Sequence, residues 1–261
     1  MKTALTIAGS DSGAGAGIQA DLKTFAAHDV FGLCAITAIT AQNTIGITAV
    51  HSVPADIVVA QLEAVVSDIG VDAAKTGMLL NAATVEAVAT SVESLNIPNL
   101  VVDPVMIAKS GDRLLKDEAI DIMKTELLSR ASVVTPNLPE AEVLAGHTIN
   151  SLTDARDAIR RIYDLGPAAV ILKGGHFPGN EVIDILYDGQ HFHEFHGPRI
   201  HSASTHHGTG CTFGASVTAA LALGQSLSDA TKGAKAYVEK AIQQGLKLGH
   251  GYKPLNHLWQ R

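Results

Sequence analysis

Residues 168–176 read AAVILKGGH: five apolar residues in succession, then a lysine, two glycines and a histidine. A short, unbroken apolar run containing Val and Ile marks a strand covered on both faces, as in a parallel sheet flanked by helices. The same pattern recurs outward in both directions. Runs at 4–8, 33–39, 100–102 and 132–134, with a weaker one at 72–74, are predicted strands. Apolar residues at helical spacing lie between them: Ile18, Leu22, Phe25 and Ala26; then Val58, Leu62, Val65, Val66 and Ile69 behind Pro54. A third set is Leu152, Ala155, Ile159 and Ile162, opened by the capping pair Ser151 and Asp154. A fourth helix opens at Ser226 and Asp229 and is predicted to run to about residue 248. Strand and helix in alternation give a three-layer α/β/α sandwich with a mainly parallel central sheet. Residues 181–187 and 191–196, joined by Asp188-Gly189, read as an antiparallel hairpin with a two-residue turn. No linker, repeat or biased tract interrupts the chain, so residues 1–261 are read as a single domain.

The strand ends carry the chemistry. The first run ends in Gly9-Ser10-Asp11, the second in Gln42-Asn43-Thr44, the third in Lys75-Thr76-Gly77. The next three end in Asp103-Pro104, in Thr135-Pro136-Asn137 with Glu140 beyond, and in Lys173-Gly174-Gly175-His176. Open α/β sheets bind ligands beyond the carboxyl ends of their strands, so these clusters are expected to face one crevice. Polar turns alone would account for the Gly, Pro and Asn, but less well for two lysines and two acids.

Residues 206–212, HHGTGCT, precede a helix of small apolar residues. Gly208 and Gly210 let backbone approach a ligand, and a helix start offers free N–H groups to an anion. Cys211 at that position is expected to have a lowered pKa; the bland reading is an inert packing thiol. The glycines at 13, 15 and 17 follow a strand and open a helix, but their spacing is G-x-G-x-G, which is not the dinucleotide fingerprint, and no G-x-x-x-x-G-K-[ST] loop occurs. Asp21, one turn into that helix, is either a ligand-facing acceptor or a carboxylate favouring the helix dipole.

Bulk properties exclude other classes. With 26 acidic against 19 basic residues the net charge is −7, so no basic excess suits nucleic acid, and an anionic ligand needs local cations. No stretch approaches the roughly 18 apolar residues of a membrane span. The start MKTALTIAGSD meets its acid too early for a signal peptide, which points to a cytoplasmic protein with Cys34 and Cys211 as reduced thiols.

From end to end the motifs resemble those of the hydroxymethylpyrimidine/phosphomethylpyrimidine kinases of the ribokinase-like superfamily. The matching segments are LTIAGSDSGAGAGIQADLKTF, TAQNT, KTGML, VVDPVMIAKSGDRLL, VVTPNLPEAEVL, LKGGH, HGTGCTF and the closing GHG. The resemblance implies ATP and Mg²⁺ at the carboxyl edge of the sheet, a pyrimidine acceptor of the thiamine route, and a homodimer. Carried onto this chain, the pyrimidine would lie against Ala16, Asp21, Gln42, Met78 and Val105. Lys173, Asn137 and Thr209 would meet ATP, and Asp103 and Glu140 the metal. Gly208 and Gly210 would form the anion hole, Lys109 would close over the transferred group, and Cys211 would stand where many relatives carry an aspartate base. A branch acting on pyridoxal carries a cysteine before the lid lysine; Ala108 stands there here, and Gln42 is present, which favours the pyrimidine. Three rivals remain: a nucleotide-binding module without catalysis, acyl transfer by Cys211 with His206 or His207 as base, and a metal site at His191, His193 and His196. On a strand the last of these three histidines falls on the opposite face, a poor ligand set.

Overall fold

The computed structural model describes residues 1–106, 115–175, 179–200 and 206–260. Nine strands make one sheet: β1 (Thr3–Asp11), β2 (Phe31–Gln42), β3 (Ile47–Ser52), β4 (Ala73–Thr76), β5 (Leu100–Val102), β6 (Val133–Val134), β7 (Val170–Leu172), β8 (Glu181–Tyr187) and β9 (Phe192–Pro198). Their order is β3-β2-β1-β4-β5-β6-β7-β8-β9. The middle strands, β2 through β7 in that order, are parallel, while β3, β8 and β9 join antiparallel at the two edges. The short strands β10 (His206–His207) and β11 (Lys253–Pro254) pair with each other. The helices are α1 (Gly17–Ala27), α2 (Ala55–Asp68), α3 (Ala82–Ser94), α4 (Asp117–Ile122), α5 (Leu138–Ala145), α6 (Leu152–Tyr163), α7 (Thr209–Ala222) and α8 (Leu227–Gln243).

Alternation along the strands builds the layers. Leu5, Ile7, Leu100, Val102, Val134, Val170 and Leu172 pack with residues of α2, α3, α5 and α6 on one face. Their neighbours Ala4, Val101, Val133 and Ile171 turn to the other face, against α1, α7 and α8. Burying both faces is what a parallel sheet requires, and it explains why these strands are apolar without interruption. The contacts of Ala4 and Ala73 with Ala215, Ala219 and Ala222 are all between small side chains, which seats α7 close to the sheet.

The structure differs from the sequence reading in three places. Strand β3 was not anticipated, because its residues are mostly exposed and carry no burial pattern. The hairpin turn spans residues 188–191, not two: Asp188 Oδ1 accepts the N–H groups of Gln190 and His191, and Gly189 has φ +92°. Helix α8 stops at Gln243, short of residue 248, since the Leu246 N–H turns to the Pro254 carbonyl at 2.9 Å. The C-terminal tail docks on α8: Tyr237 donates to the His257 carbonyl at 2.6 Å and Leu255 is buried. On the hairpin, His193 pairs with Asp188, and His196 lies between Glu181 and Glu194.

Candidate active site

Strand β1 is the switch point of the sheet: the chain leaves it for β2 on one side and reaches β4 on the other. A cavity of about 420 Å³ opens at its carboxyl end, between Gly9–Asp11, the start of α1 and the start of α7. Ala16, Gln42, Met78 and Val105 line it, as do Asp103, Glu140 and Cys211. A second cavity, of about 360 Å³, lies beside it and reaches along α8 to Lys235 and Glu239. Asn137, Lys173, Thr209 and Gly210 belong to the walls of both. Two ligands in these cavities would therefore meet at one place, over a lysine and a helix start.

That helix start is bare. Gly208 caps α7 in the left-handed region, φ +83°, and supplies no side chain to the first-turn N–H groups. The first helical bond runs from the Thr212 N–H to the Gly208 carbonyl, so the three preceding N–H groups face forward with the positive end of the helix dipole. A Cβ on Gly208 would stand 1.9 Å from the Gly15 carbonyl oxygen, so only glycine allows this approach. The glycine loop before α1 is not a second anion site. Asp11 fills it from within: Oδ1 accepts from the Gly13 N–H, and Oδ2 accepts from those of Gly15 and Ala16. Burial works against that charge, but His207 and these N–H groups hold the Asp11 carboxyl below its usual range.

Charges cross the mouth of the sheet. Lys173 donates to Asp103 at 2.8 Å, from the end of β7 to the end of β5. Burial opposes the Lys173 charge, yet Asp103 and Glu140 raise its pKa. Glu140 opens α5 in a reciprocal cap: Oε2 accepts the Asn137 N–H at 2.8 Å, and Asn137 Oδ1 accepts the Glu140 N–H at 3.0 Å. Burial pushes the Glu140 carboxyl up to about 7, against the pull of Lys173. The donors gathered here are hard carboxylate and amide oxygens, with no thiolate or imidazole between them. That set fits a Mg²⁺ held through few protein ligands and completed by waters and phosphates.

Thr40 and Asp11, which flank this site, were given no role in it from the sequence. Thr40 Oγ1 lies 3.0 Å from the Ser10 carbonyl and 3.0 Å from Gln42 Oε1. Gln42 Nε2 is 2.9 Å from His207 Nε2, which is 3.2 Å from Asp11 Oδ2. His207 thus turns its Nε2 toward Asp11 and Gln42. Asp11 was visible as a strand-end acid, but nothing local shows that His207, 196 residues on, would meet it.

The sequence profile of phosphomethylpyrimidine kinase matches residues 11–256. A hydroxymethylpyrimidine/phosphomethylpyrimidine kinase of Bacillus subtilis (strain 168) is 48% identical over 255 residues, covering 97% of this chain and 94% of its own. The chain belongs to the phosphomethylpyrimidine kinase family. A phosphomethylpyrimidine kinase from Clostridium difficile 630 superposes with a TM-score of 0.83 at 41% identity, over 93% of this chain and all of its own. A pyridoxal kinase from Staphylococcus aureus, solved with AMP-PCP and pyridoxal, superposes with a TM-score of 0.92 at 40% identity, over 100% of this chain and 95% of its own. The ribokinase-like α/β fold expected from the sequence is therefore the fold of this family. Lys109 and His176 lie outside the described residues.

Two expectations about this family's site are corrected by the geometry. Asp21 does not line the cavity. It is fully buried beneath it, where Oδ2 accepts from Thr6 Oγ1 at 2.6 Å and from Lys75 Nζ at 3.0 Å. Lys75 is equally buried and is no solvated strand end: burial opposes its charge, but Asp21 and then Cys211 and Asp103 raise its pKa. Nor is Cys211 a low-pKa thiol. The helix start, the Gly17 N–H and Lys75 favour the thiolate, but burial, with Asp21 and Asp103 adding to it, pushes the thiol up to about 11. Both cysteines are free thiols.

Asp21→Ala would strand the buried Lys75 ammonium, so we expect it to lower folding stability by about 3–5 kcal/mol. Urea unfolding checks this; an unchanged midpoint would show that the pair contributes nothing. At pH 8 only about one Cys211 in a thousand is ionised if its pKa is near 11. Its alkylation by iodoacetamide, followed by mass spectrometry, should keep accelerating above pH 9. A rate already level at pH 8 would contradict the neutral thiol.

Proposed function

We propose that this chain moves the γ-phosphoryl group of ATP to 4-amino-5-hydroxymethyl-2-methylpyrimidine, and then to the phosphate of the resulting monophosphate, on the route to thiamine. The observation that carries this reading is the wall common to the two cavities. ATP occupies the cavity along α8 with its phosphates over Lys173, Asn137 and Thr209. The pyrimidine occupies the other, against Ala16, Gln42, Met78 and Val105. The acceptor oxygen then faces the γ-phosphorus in line. A new P–O bond forms, the bond to ADP breaks, and the acceptor hydroxyl loses its proton.

The protein's part is positioning and charge stabilisation. The N–H groups at the start of α7 and the Lys173 ammonium meet the negative charge spread over the transferring oxygens, and Lys109 adds a further cation. Asp103 and Glu140, with Asn137, would hold Mg²⁺, which would supply positive charge against the phosphates. Cys211 takes the hydroxyl proton as its thiolate. Burial keeps most of this thiol protonated near neutral pH, so only a small thiolate fraction can act, its share rises with pH, and the anion hole is the larger contribution. Asp21 serves through Lys75, as a support beneath the helix start and not as a contact of the ring.

A second acceptor class has its own support: the Staphylococcus aureus pyridoxal kinase is as similar in shape as any relative described above. Side activity on pyridoxal is therefore part of the reading. The chain is also proposed to be a cytoplasmic homodimer. Among the described residues, the outer edge of β3 has no strand beside it, and Ile39 on the adjoining β2 is 53% exposed. An open strand edge with an exposed apolar neighbour is a surface that a second copy would cover.

ADP release with Mg-ATP and four acceptors tests the assignment: hydroxymethylpyrimidine, its monophosphate, pyridoxal and pyridoxine. The pyrimidines should have the highest kcat/KM; a preference for pyridoxal would reverse the assignment. Cys211→Ala should lower kcat about 100-fold with little change in KM, and should flatten the rise of kcat with pH. Near-full turnover in that variant would remove Cys211 as the base. Ile39→Arg should convert the dimer to a monomer in sedimentation; an unaltered dimer would place the interface elsewhere.

A further inference from the structure

The contacts around Gln42 contain a conflict over protons, and its resolution assigns a role to His207. As placed, Gln42 Nε2 faces His207 Nε2 at 2.9 Å. An amide N–H can donate there only if His207 Nε2 is unprotonated. Its lone pair would then also face the Asp11 carboxylate at 3.2 Å, which is repulsive. Thr40 has one hydroxyl proton and two acceptors at 3.0 Å, the Ser10 carbonyl and Gln42 Oε1. One of them would go without.

Carboxamide oxygen and nitrogen are nearly the same size, so the hydrogen-bond network chooses between the two orientations. Turning the Gln42 amide over removes both conflicts. Thr40 then gives its proton to Ser10 and accepts from the Gln42 amide N–H. His207 Nε2–H donates to the Gln42 oxygen and to Asp11 Oδ2. Each proton has an acceptor and no two lone pairs oppose each other. Asp11 is itself held by the N–H groups of Gly13, Gly15 and Ala16, so it can impose this tautomer on His207. The His207 ring packs directly on Gly15, where a Cβ would stand 2.7 Å from His207 Cδ2.

We infer that the Asp11–His207 pair is a positioning and specificity device: it fixes the Gln42 carboxamide with its oxygen toward His207 and its nitrogen toward Thr40. This rests on the kinase reading above and deepens it. A carboxamide has two lone pairs and two N–H bonds. One of each is spent on His207 and Thr40, which leaves one acceptor and one donor for the cavity. An aminopyrimidine presents a matching edge, an amino N–H beside a ring nitrogen. A pyridine carrying a phenolic oxygen has no such adjacent pair. With the amide reversed or free to turn, the amino group would meet an N–H and the ring nitrogen an oxygen, and the preference would fade.

The test compares hydroxymethylpyrimidine and pyridoxal as acceptors in the wild type, His207→Leu and His207→Gln. A glutamine at 207 can place an N–H where His207 Nε2–H stands, and leucine cannot. His207→Leu should raise KM for the pyrimidine about tenfold or more, with kcat and the constants for pyridoxal little altered, because an unpaired polar edge in the site penalises that substrate alone. His207→Gln should restore the pyrimidine preference. Equal losses on both substrates, or no rescue by glutamine, would overturn the inference. A second measurement needs no variant: nitrogen-15 NMR of the wild-type imidazole should show a protonated Nε2. An unprotonated Nε2 would overturn the assignment. If the wild type phosphorylates neither acceptor, the kinase reading itself fails, and the imidazole spectrum still decides the tautomer.

Discussion

The site depends on one close approach, that of Gly208 to the Gly15 carbonyl. No side chain can stand between them, since a Cβ on Gly208 would lie 1.9 Å from that oxygen. The left-handed turn at Gly208 then aims the first N–H groups of α7 across the carboxyl edge of the sheet. Gly17 makes a similar approach to Gly9, at 2.3 Å for its missing Cβ, and brings its N–H to Cys211. Two helix starts are thereby locked onto the loop after β1. Only one of them is left open to a ligand, because Asp11 takes the N–H groups before α1. The geometry separates a structural anion, which belongs to the chain, from a place for an arriving one.

A chain with net charge −7 still has to attract phosphate, and it does so with few cations, each kept beside an acid. Lys173 is held by Asp103 with Glu140 nearby, and Lys75 by Asp21. Pairing lets these ammonium groups stay charged at low exposure, where an isolated one would lose its proton. The two pairs differ in reach. Lys173 lies on the shared wall of the cavities, where it is paired with Asp103 and open to a ligand. Lys75 is sealed below, where its charge acts only through the low-dielectric interior on Cys211 and the helix start. Glu140 shows the same economy. One oxygen caps α5, and burial raises the pKa of its carboxyl against the pull of Lys173.

Much of the fold was readable because it follows from local patterns. Unbroken apolar runs gave the parallel strands, and the turn at Asp188-Gly189 gave the hairpin. The placement of polar clusters at strand ends located the crevice. What escaped notice depends on partners far away in sequence. β3 is exposed on both sides, so nothing in its own residues separates it from a loop. Asp21 read as a ligand-facing acceptor or a helix-start carboxylate, because its partner Lys75 lies 54 residues on. The expected low pKa of Cys211 rested on the helix start alone; burial beside Asp21 and Asp103 outweighs that local effect. His207 could be seen as part of a loop, but its meeting with Asp11 and Gln42 is a product of the tertiary fold.

Shape does not separate the two acceptor classes in this family. A pyridoxal kinase at 40% identity superposes on this chain over its whole length with a TM-score of 0.92. Two flat six-membered rings of similar size cannot be told apart by apolar walls, since a small difference in bulk discriminates weakly. Polar pairing can do it, provided the protein's own donors and acceptors do not rearrange to suit the wrong ring. A lone glutamine would rearrange, because its amide turns over at little cost in shape. Flanked by a hydroxyl whose proton is already committed and an imidazole whose tautomer is set by a buried carboxylate, it has one satisfied orientation. Selectivity in this cavity therefore lies in the proton positions around Gln42, one step removed from the atoms that touch the ring.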